Sequence, residues 1–476
     1  MKKSSHKHIL ILLILSLSLM LSSCSEKPQE KESLDTKVNS KISAYTTDLH
    51  DSAETLSSNA SVTEYLSNWA KSKNLNYDTD ALGNVIVRIP ASESNKNIDP
   101  IVLICSYDAQ KFKESVSSIA MGLYIAKNIE GSGNINIIFS PSSSGSFDAA
   151  KNIASYIPEK AKVFCVSNGS RSSFGFNCGY SSKFTFSNEI KYKEPQGKTA
   201  IKVSISGLDG GTPDSRISSY PNPIKEFANI LGTYKAKAKI FELASFNGGS
   251  NPYDYPKNAE MVIVVGADDE KYFTDSLTSF AESWSKNYEG TYPESKFVFE
   301  KTELPAAVFD GASLDNFINA AYTLLDGVYY KNADDSVISI TNIGILQTTE
   351  TAYMISASAS SLDKEKIDDL NRDYGIISSL ASIKFAVSDE RTGWGSIENS
   401  EALKLEFAEK LSAAYYDYSG SKLSFKNCIQ PTAASVLYEL LPNTEMVNIV
   451  VSPERTAEYT GTVVTYIINS TEKKDS

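Results

Sequence analysis

Three short stretches concentrate the groups in this chain that could do chemistry: Cys105-Ser-Tyr-Asp108, Ser118-Ile-Ala-Met-Gly122 and the serine-rich run Ser140-Pro-Ser-Ser-Ser-Gly145. They offer hydroxyls, a thiol and one group that ionises at neutral pH, Asp108. Clustered hydroxyls suit either nucleophilic attack or hydrogen bonding to a ligand. Attack by Ser140, Ser142, Ser143, Ser144 or Ser146 needs a base and an oxyanion hole. The chain has three histidines, His6, His8 and His50; two lie in the N-terminal segment and the third precedes the globular core. Ser-x-x-Lys pairs occur at Ser361/Lys364 and Ser419/Lys422, but no Lys-Thr-Gly or Gly-x-Ser-x-Gly accompanies them. The pattern predicts a polar turn, not a serine nucleophile.

The elements that must position these stretches read as alternating strand and helix. Pro100–Ile104 and Asn134–Phe139 are apolar runs of the kind buried on both faces of a sheet. Between them, Ser117–Ile129 has helical spacing, with Ile119, Leu123 and Ala126 on one face. The three stretches then read as loops at the carboxyl ends of strands, where α/β sheets build their sites.

The flanking sequence resembles the dinuclear-zinc peptidases, specifically the aminoacyl-histidine dipeptidase (PepD-like, cytosol non-specific dipeptidase) branch. The matching anchors are Asp80–Ala91, Ile205–Gly211, Gly248-Gly-Ser250, Tyr220-Pro-Asn222, Asp326-Gly-Val328, Ser339–Gly344, Gly393-Trp394, Leu441-Pro-Asn443 and Met446-Val447. They fall in the family's order from about residue 45 to 470. The resemblance implies an α/β fold: a zinc-peptidase-like catalytic domain, with a mixed, mainly parallel sheet flanked by helices, and an inserted α+β lid domain.

The same register locates the zinc ligands that the resemblance implies, and they are absent. The histidine of the first His-x-Asp motif is Ser106, and only its aspartate, Asp108, remains. The bridging aspartate falls on Ala120, the general-base and ligand glutamates on Ser143 and Ser144, and a further ligand near Ser167. Val451-Ser452-Pro453 stands in place of the last ligand's His-Ser-Pro. Thr212 replaces the lid histidine, and Tyr253-Asp-Tyr-Pro-Lys257 replaces the Asn-x-Ile-Pro-Arg signature. Catalytic zinc needs clustered nitrogen, sulfur or carboxylate donors, and hydrolysis needs a base beside the bound water. Without zinc, clustered buried carboxylates repel one another and are costly to desolvate, so their joint exchange for serine and alanine has a physical reason. The sequence therefore predicts no catalytic residues, no metal and no cofactor, with Asp108, Ser143 and Ser144 left as ligand-binding candidates.

The N-terminus carries the most specific signal. Met1–His8 is basic, Ile9–Leu21 is apolar but short for a membrane span, and Leu21-Ser-Ser-Cys24 follows. The last resembles the bacterial lipobox, which implies lipidation at Cys24, a membrane anchor and an extracytoplasmic location. Formal charge is −12, and removal of Lys2, Lys3 and Lys7 with the leader leaves −15. That balance argues against a nucleic-acid partner. Cys105, Cys165, Cys178 and Cys428 form no CxxC pair. An even count permits disulfides outside the cytosol, although their apolar settings favour buried free thiols. The acidic pairs Asp268-Asp269 and Asp334-Asp335 lack the alternating oxygens of a calcium loop. The glycine-rich turns at 207–211 and 247–250 lack a Walker Lys-Ser/Thr.

The expected organisation is a signal peptide over 1–23, a tether over 24–40, the peptidase-like domain over 41–196 and 384–470, the lid over 197–383 and a tail over 471–476. Helices are expected at Val38–Lys71, Ser146–Tyr156, Asn222–Ala236, Asp268–Ser285, Ser313–Asp326, Asp363–Ala381, Glu401–Tyr416 and Thr432–Leu441, and a strand at Lys422–Lys426 among others. The lid reads as two related α+β halves, the element through which the family resemblance makes a homodimer an option. The sequence thus describes a lipid-anchored, catalytically inactive dipeptidase-like protein whose interdomain cleft binds a peptide or small ligand. The alternatives are an interaction module with a vestigial cleft, and an active metallodipeptidase with substitute ligands.

Overall fold

The computed structural model describes residues 33–129, 131–142, 147–213, 219–395 and 405–471. Its first layer is a seven-stranded mixed sheet in the order β1-β2-β4-β3-β5-β18-β6. These strands are β1 (Asn76–Thr79), β2 (Val85–Ile89), β3 (Ile101–Tyr107), β4 (Ile135–Pro141), β5 (Lys162–Asn168), β6 (Ser173–Gly175) and β18 (Glu445–Val451). The central pairs β3/β4, β3/β5 and β5/β18 are parallel, and the outer pairs are antiparallel.

Every residue of β3 is buried because both faces are covered. Leu103, Cys105 and Tyr107 join the core under helices α1 (Leu34–Ser52), α2 (Asn59–Ser72), α3 (Phe112–Asn128), α9 (Glu406–Ser419) and α11 (Thr456–Thr471). Val102 and Ile104, on the alternate positions, face α4 (Ala150–Ile153) and α10 (Ala433–Leu440).

The second layer is a nine-stranded antiparallel sheet. Its main path is β12-β9-β11-β10-β15-β16-β7-β17, with β14 paired to β15. The strands are β7 (Tyr180–Glu189), β9 (Thr199–Ser206), β10 (Phe241–Gly248), β11 (Ala259–Val265), β12 (Lys296–Thr302), β14 (Gly327–Lys331), β15 (Val337–Thr348), β16 (Ala352–Ser361) and β17 (Lys384–Arg391). Helices α5 (Pro223–Ala236), α6 (Glu270–Tyr288), α7 (Gly311–Thr323) and α8 (Lys364–Ala381) pack on it. Two short strands, β8 (Tyr192–Lys193) and β13 (Val308–Phe309), pair beside it.

The order of this sheet contains two mirrored halves, 12-9-11-10 and 17-7-16-15. The expectation of two related α+β halves holds with one change: the second half takes its first strand, β7, from sequence that precedes the first half. The halves meet at β10 and β15 through the register pair Gly248↔Leu346.

Four expectations change. The single helix expected over Val38–Lys71 is two, because Ser58 starts a new one. Its hydroxyl accepts from the Ser61 N–H and the Ser61 hydroxyl accepts from the Ser58 N–H, a reciprocal cap. Ser118–Gly122 lies inside α3, as the helical spacing over Ser117–Ile129 predicts, and not in a loop at a strand end, because the helix already starts at Phe112. Lys422–Lys426 makes only an isolated bridge, Phe174↔Phe425. The chain crosses between layers near Cys178 and Trp394, whose backbones exchange two hydrogen bonds of 2.7 and 2.9 Å. The expected boundaries at 196/197 and 383/384 therefore leave β7 and β17 on the wrong side, since both belong to the second sheet.

Candidate functional site

The carboxyl ends of β3 and β5 and the buried face of α3 converge where the resemblance places the metal. Ser118 Oγ donates to the Ser106 carbonyl at 2.7 Å. Asn168, at the end of β5, accepts from the Ser118 N–H at 2.9 Å and donates through Nδ2 to Ser118 Oγ (2.9 Å) and the Ser106 carbonyl (3.2 Å). Three elements that would each carry ligands are thus joined by neutral hydrogen bonds. Each is worth about 1 kcal/mol net, and more to lose, because the partners are shielded from water. Asn168 also begins a formal Asn-Gly-Ser glycosylation triplet, but its side chain is occupied in the net.

Ala120 lies two residues beyond Ser118 along α3, with 0% exposure and in the core cluster. The neighbouring Gly122 explains the closeness of α3 to the sheet. A Cβ there would lie 2.6 Å from the Phe139 ring and 2.8 Å from Cys105 Sγ. Ser106 is also buried, and Ser167 is half-buried with its hydroxyl 3.4 Å from the Ile449 carbonyl. Ser143 and Ser144 lie outside the described residues. Ser142, just before them, is fixed by its N–H and hydroxyl to the Tyr107 carbonyl, at 2.6 and 3.2 Å.

Asp108 does not face this net alone. Its carboxylate accepts from the Gln110 N–H at 2.9 Å and starts a short 3₁₀ turn, Ala109–Lys111, while its own N–H donates to Ser115 Oγ at 2.8 Å. Lys111 at the end of that turn pairs with Asp254, in the stretch that replaces the family signature. Asp254 also accepts from Asn251 Nδ2 at 2.7 Å. The adjacent Tyr253 hydroxyl donates to Asp389 on β17 at 2.7 Å, and Lys183 on β7 pairs with the same carboxylate at 2.6 Å. These contacts lower the Asp389 carboxyl below its usual range, the Lys183 hydrogen bond most and then that from Tyr253. Sequence reasoning missed Lys111, Ser118 and Asn168, whose roles depend on partners distant in the chain. Thr212 is exposed, and Val451, in place of the last ligand histidine, is buried at the carboxyl end of β18 and paired with Asn168, with the next residue, Ser452, held by Ser172 (N–H to Oγ, 2.8 Å).

The donor set here does not fit zinc. Among the described residues, the positions that would ligate supply two hydroxyls (Ser106, Ser167), a methyl (Ala120), an isopropyl group (Val451) and a single carboxylate (Asp108), and no group of three or more His, Cys, Asp or Glu side chains able to hold a metal occurs. The thiols offer no substitute. Cys105, Cys165 and Cys178 are buried and free, Cys428 is free and half-buried, and burial pushes Cys428 up to about 12. His50 is exposed on α1.

With this geometry in view, likeness to known proteins can be placed. A solved aminoacylhistidine dipeptidase from Vibrio alginolyticus superposes with a TM-score of 0.60 at 17% identity, over 87% of this chain and 93% of that one. The fold is that of the dipeptidases. Cytosol non-specific dipeptidase of Escherichia coli (strain K12) is 21% identical over 384 residues, which are 72% of this chain and 78% of that protein.

A sequence model of the subtilase family also matches, over residues 120–393. By span alone this places the chain in that family, since it covers more than half of it. The fold and the chemistry do not follow. A subtilase serine needs an imidazole base, and residues 120–393 contain no histidine. The matched stretch also starts inside α3 of the first layer and ends beyond β17 of the second, so it cuts across the dipeptidase fold.

Proposed function

We propose that this chain is a non-hydrolytic protein of dipeptidase fold, held at the extracytoplasmic face of a membrane by a lipid on Cys24. The observation that carries the loss of hydrolysis is the Ser106–Ser118–Asn168 net, with the sealed Ala120 beside it. Neutral hydrogen bonds and a methyl group occupy positions where a dinuclear site needs charged ligands, and the register puts Ser143 where the general base would stand. In this reading the interdomain cleft beside Asp108 binds a peptide or small molecule through hydrogen bonds, with Ser143 and Ser144 contributing from the serine turn.

A second reading has an observation of its own. The Lys111–Asp254 pair ties the β3 end of the cleft to the second layer, which favours a vestigial cleft and a lid that docks a partner or a second copy. Mutation of Asp108 separates the two: loss of ligand binding supports the cleft, and no effect supports the docking lid.

The deciding experiment is dialysis of residues 25–476 against zinc, followed by metal analysis and a dipeptide hydrolysis assay. Neither bound metal nor turnover is expected. Stoichiometric zinc with EDTA-sensitive cleavage would overturn the proposal and point to substitute ligands. For the anchor, Cys24→Ser is expected to move the protein from the membrane to the soluble fraction. No helix among the described residues is long and apolar enough to cross a membrane, so retention of the variant in the membrane would remove the lipid from this reading.

A further inference from the structure

The second layer contains a cavity of about 740 Å³ that none of the preceding chemistry uses. It lies between the start of α5, the C-terminal end of α6 and β14, where the two halves of the sheet meet. Its volume falls in the range of small-molecule sites, roughly 300–1,000 Å³.

Two carboxylates line it. Asp326 uses one oxygen, Oδ1, for two donors: Asn222 Nδ2 at 2.6 Å and the Ile343 N–H at 2.8 Å. No donor among the described residues engages its second oxygen. Glu226, in the first turn of α5, accepts no hydrogen bond from any described residue. Its electrostatic partner is the neighbouring Lys225, whose ammonium is already engaged. Lys225 Nζ donates to the Tyr322 and Leu324 carbonyls at 2.5 and 2.7 Å, closing the end of α7. The walls include the rings of Tyr288 and Tyr292.

A half-buried carboxylate with no donor, a second with one oxygen idle and aromatic faces beside them share the cavity with two lysines, Lys225, already engaged, and Lys331. We infer that this cavity binds a small organic cation, an amine or guanidinium, held by Glu226 and Asp326 against the tyrosine rings. The rings argue against a bare divalent metal ion, which needs six or more oxygens, and for a cation with an organic body. This site is separate from the cleft at Asp108.

The test is calorimetric titration of residues 25–476 with agmatine and with cadaverine, using pentanol as the uncharged control and calcium chloride as the competing ion. Saturable binding of at least one amine and none of pentanol is expected. Glu226→Gln is expected to weaken binding about tenfold or more, an effect of roughly 1.4 kcal/mol, with unchanged circular dichroism and melting temperature. Tyr288→Leu is expected to weaken it independently, and Asp108→Asn to leave it unchanged. Binding of neither amine, binding insensitive to both Glu226→Gln and Tyr288→Leu, or binding of calcium in place of the amines would overturn the inference. Loss of binding in Asp108→Asn would also overturn it, by assigning the ligand to the cleft.

Discussion

Lys111, on the turn that Asp108 begins, forms an ion pair with Asp254 on the opposite side of the interlayer cleft. The lysine side chain is 26% exposed and the aspartate 13%, so the pair is screened less than a surface bridge. Its position makes it a latch between the first layer and the second.

Removing one partner leaves the other partly buried and unpaired. Lys111→Met and Asp254→Asn are each expected to cost about 1–2 kcal/mol in urea unfolding, with a coupling near 1 kcal/mol in the double variant. Hydrogen exchange should rise at residues 251–257 in both. Additive effects with unchanged exchange would remove the latch.

Restoring a carboxylate at the expected bridging position should fail. Ala120→Asp puts a charge at a site with no exposure, and is expected to destabilise the chain by at least about 3 kcal/mol. Zinc at millimolar concentration should not recover the loss. A zinc-dependent rise in melting temperature would show that the ligand geometry survives.

Asp326 predicts an unusual pH response. Burial raises its carboxyl to about 6 from an ordinary 3.8, opposed by the Ile343 N–H, Asn222 and Lys225 and reinforced by Glu226. The folded state therefore holds this proton more tightly than the unfolded state. The group's contribution favours folding more as pH falls from about 7 toward 4.5, by on the order of 2 kcal/mol. Asp389 and Glu458, both lowered in the folded state, act in the opposite direction at lower pH. Asp326→Asn should flatten the stability profile between pH 5 and 7, as read by urea midpoints. An unchanged profile would remove the assignment.

The four thiols after Cys24 should be slow to react. Cys105, Cys165 and Cys178 are buried and Cys428 is half-buried, and burial raises all four. A chromogenic disulfide reagent at pH 8 is expected to label fewer than one thiol per native chain and four in urea. Two or fewer in urea would reveal a disulfide.

Much of the first layer was legible because buried parallel strands such as Ile101–Tyr107 read as continuous apolar runs, and in the second layer Asn222 marks the start of α5 by capping it. At the candidate site, Ser106, Ala120 and Ser167 could be singled out because the resemblance assigned them a register. What was hidden depends on long-range partners. The Asn168 hub bonds across 50 and 62 residues, and Lys111 reaches a residue 143 positions away. The edge strand β12 was missed because its exposed, charged face (Lys296, Glu300, Lys301) weakens the apolar alternation.

The mirrored sheet order has a consequence for the chain as a modular object. Residues 199–302 form a β-α-β-β-α-β unit whose first and last strands are neighbours, with Thr302 opposite Ala200. The segment begins and ends at nearly one point in space, nested inside a host half that runs from β7 to β17. It can therefore be lengthened, exchanged or excised at a single short junction without rethreading the host. The lid is thus the part of this fold most open to acquiring a new role.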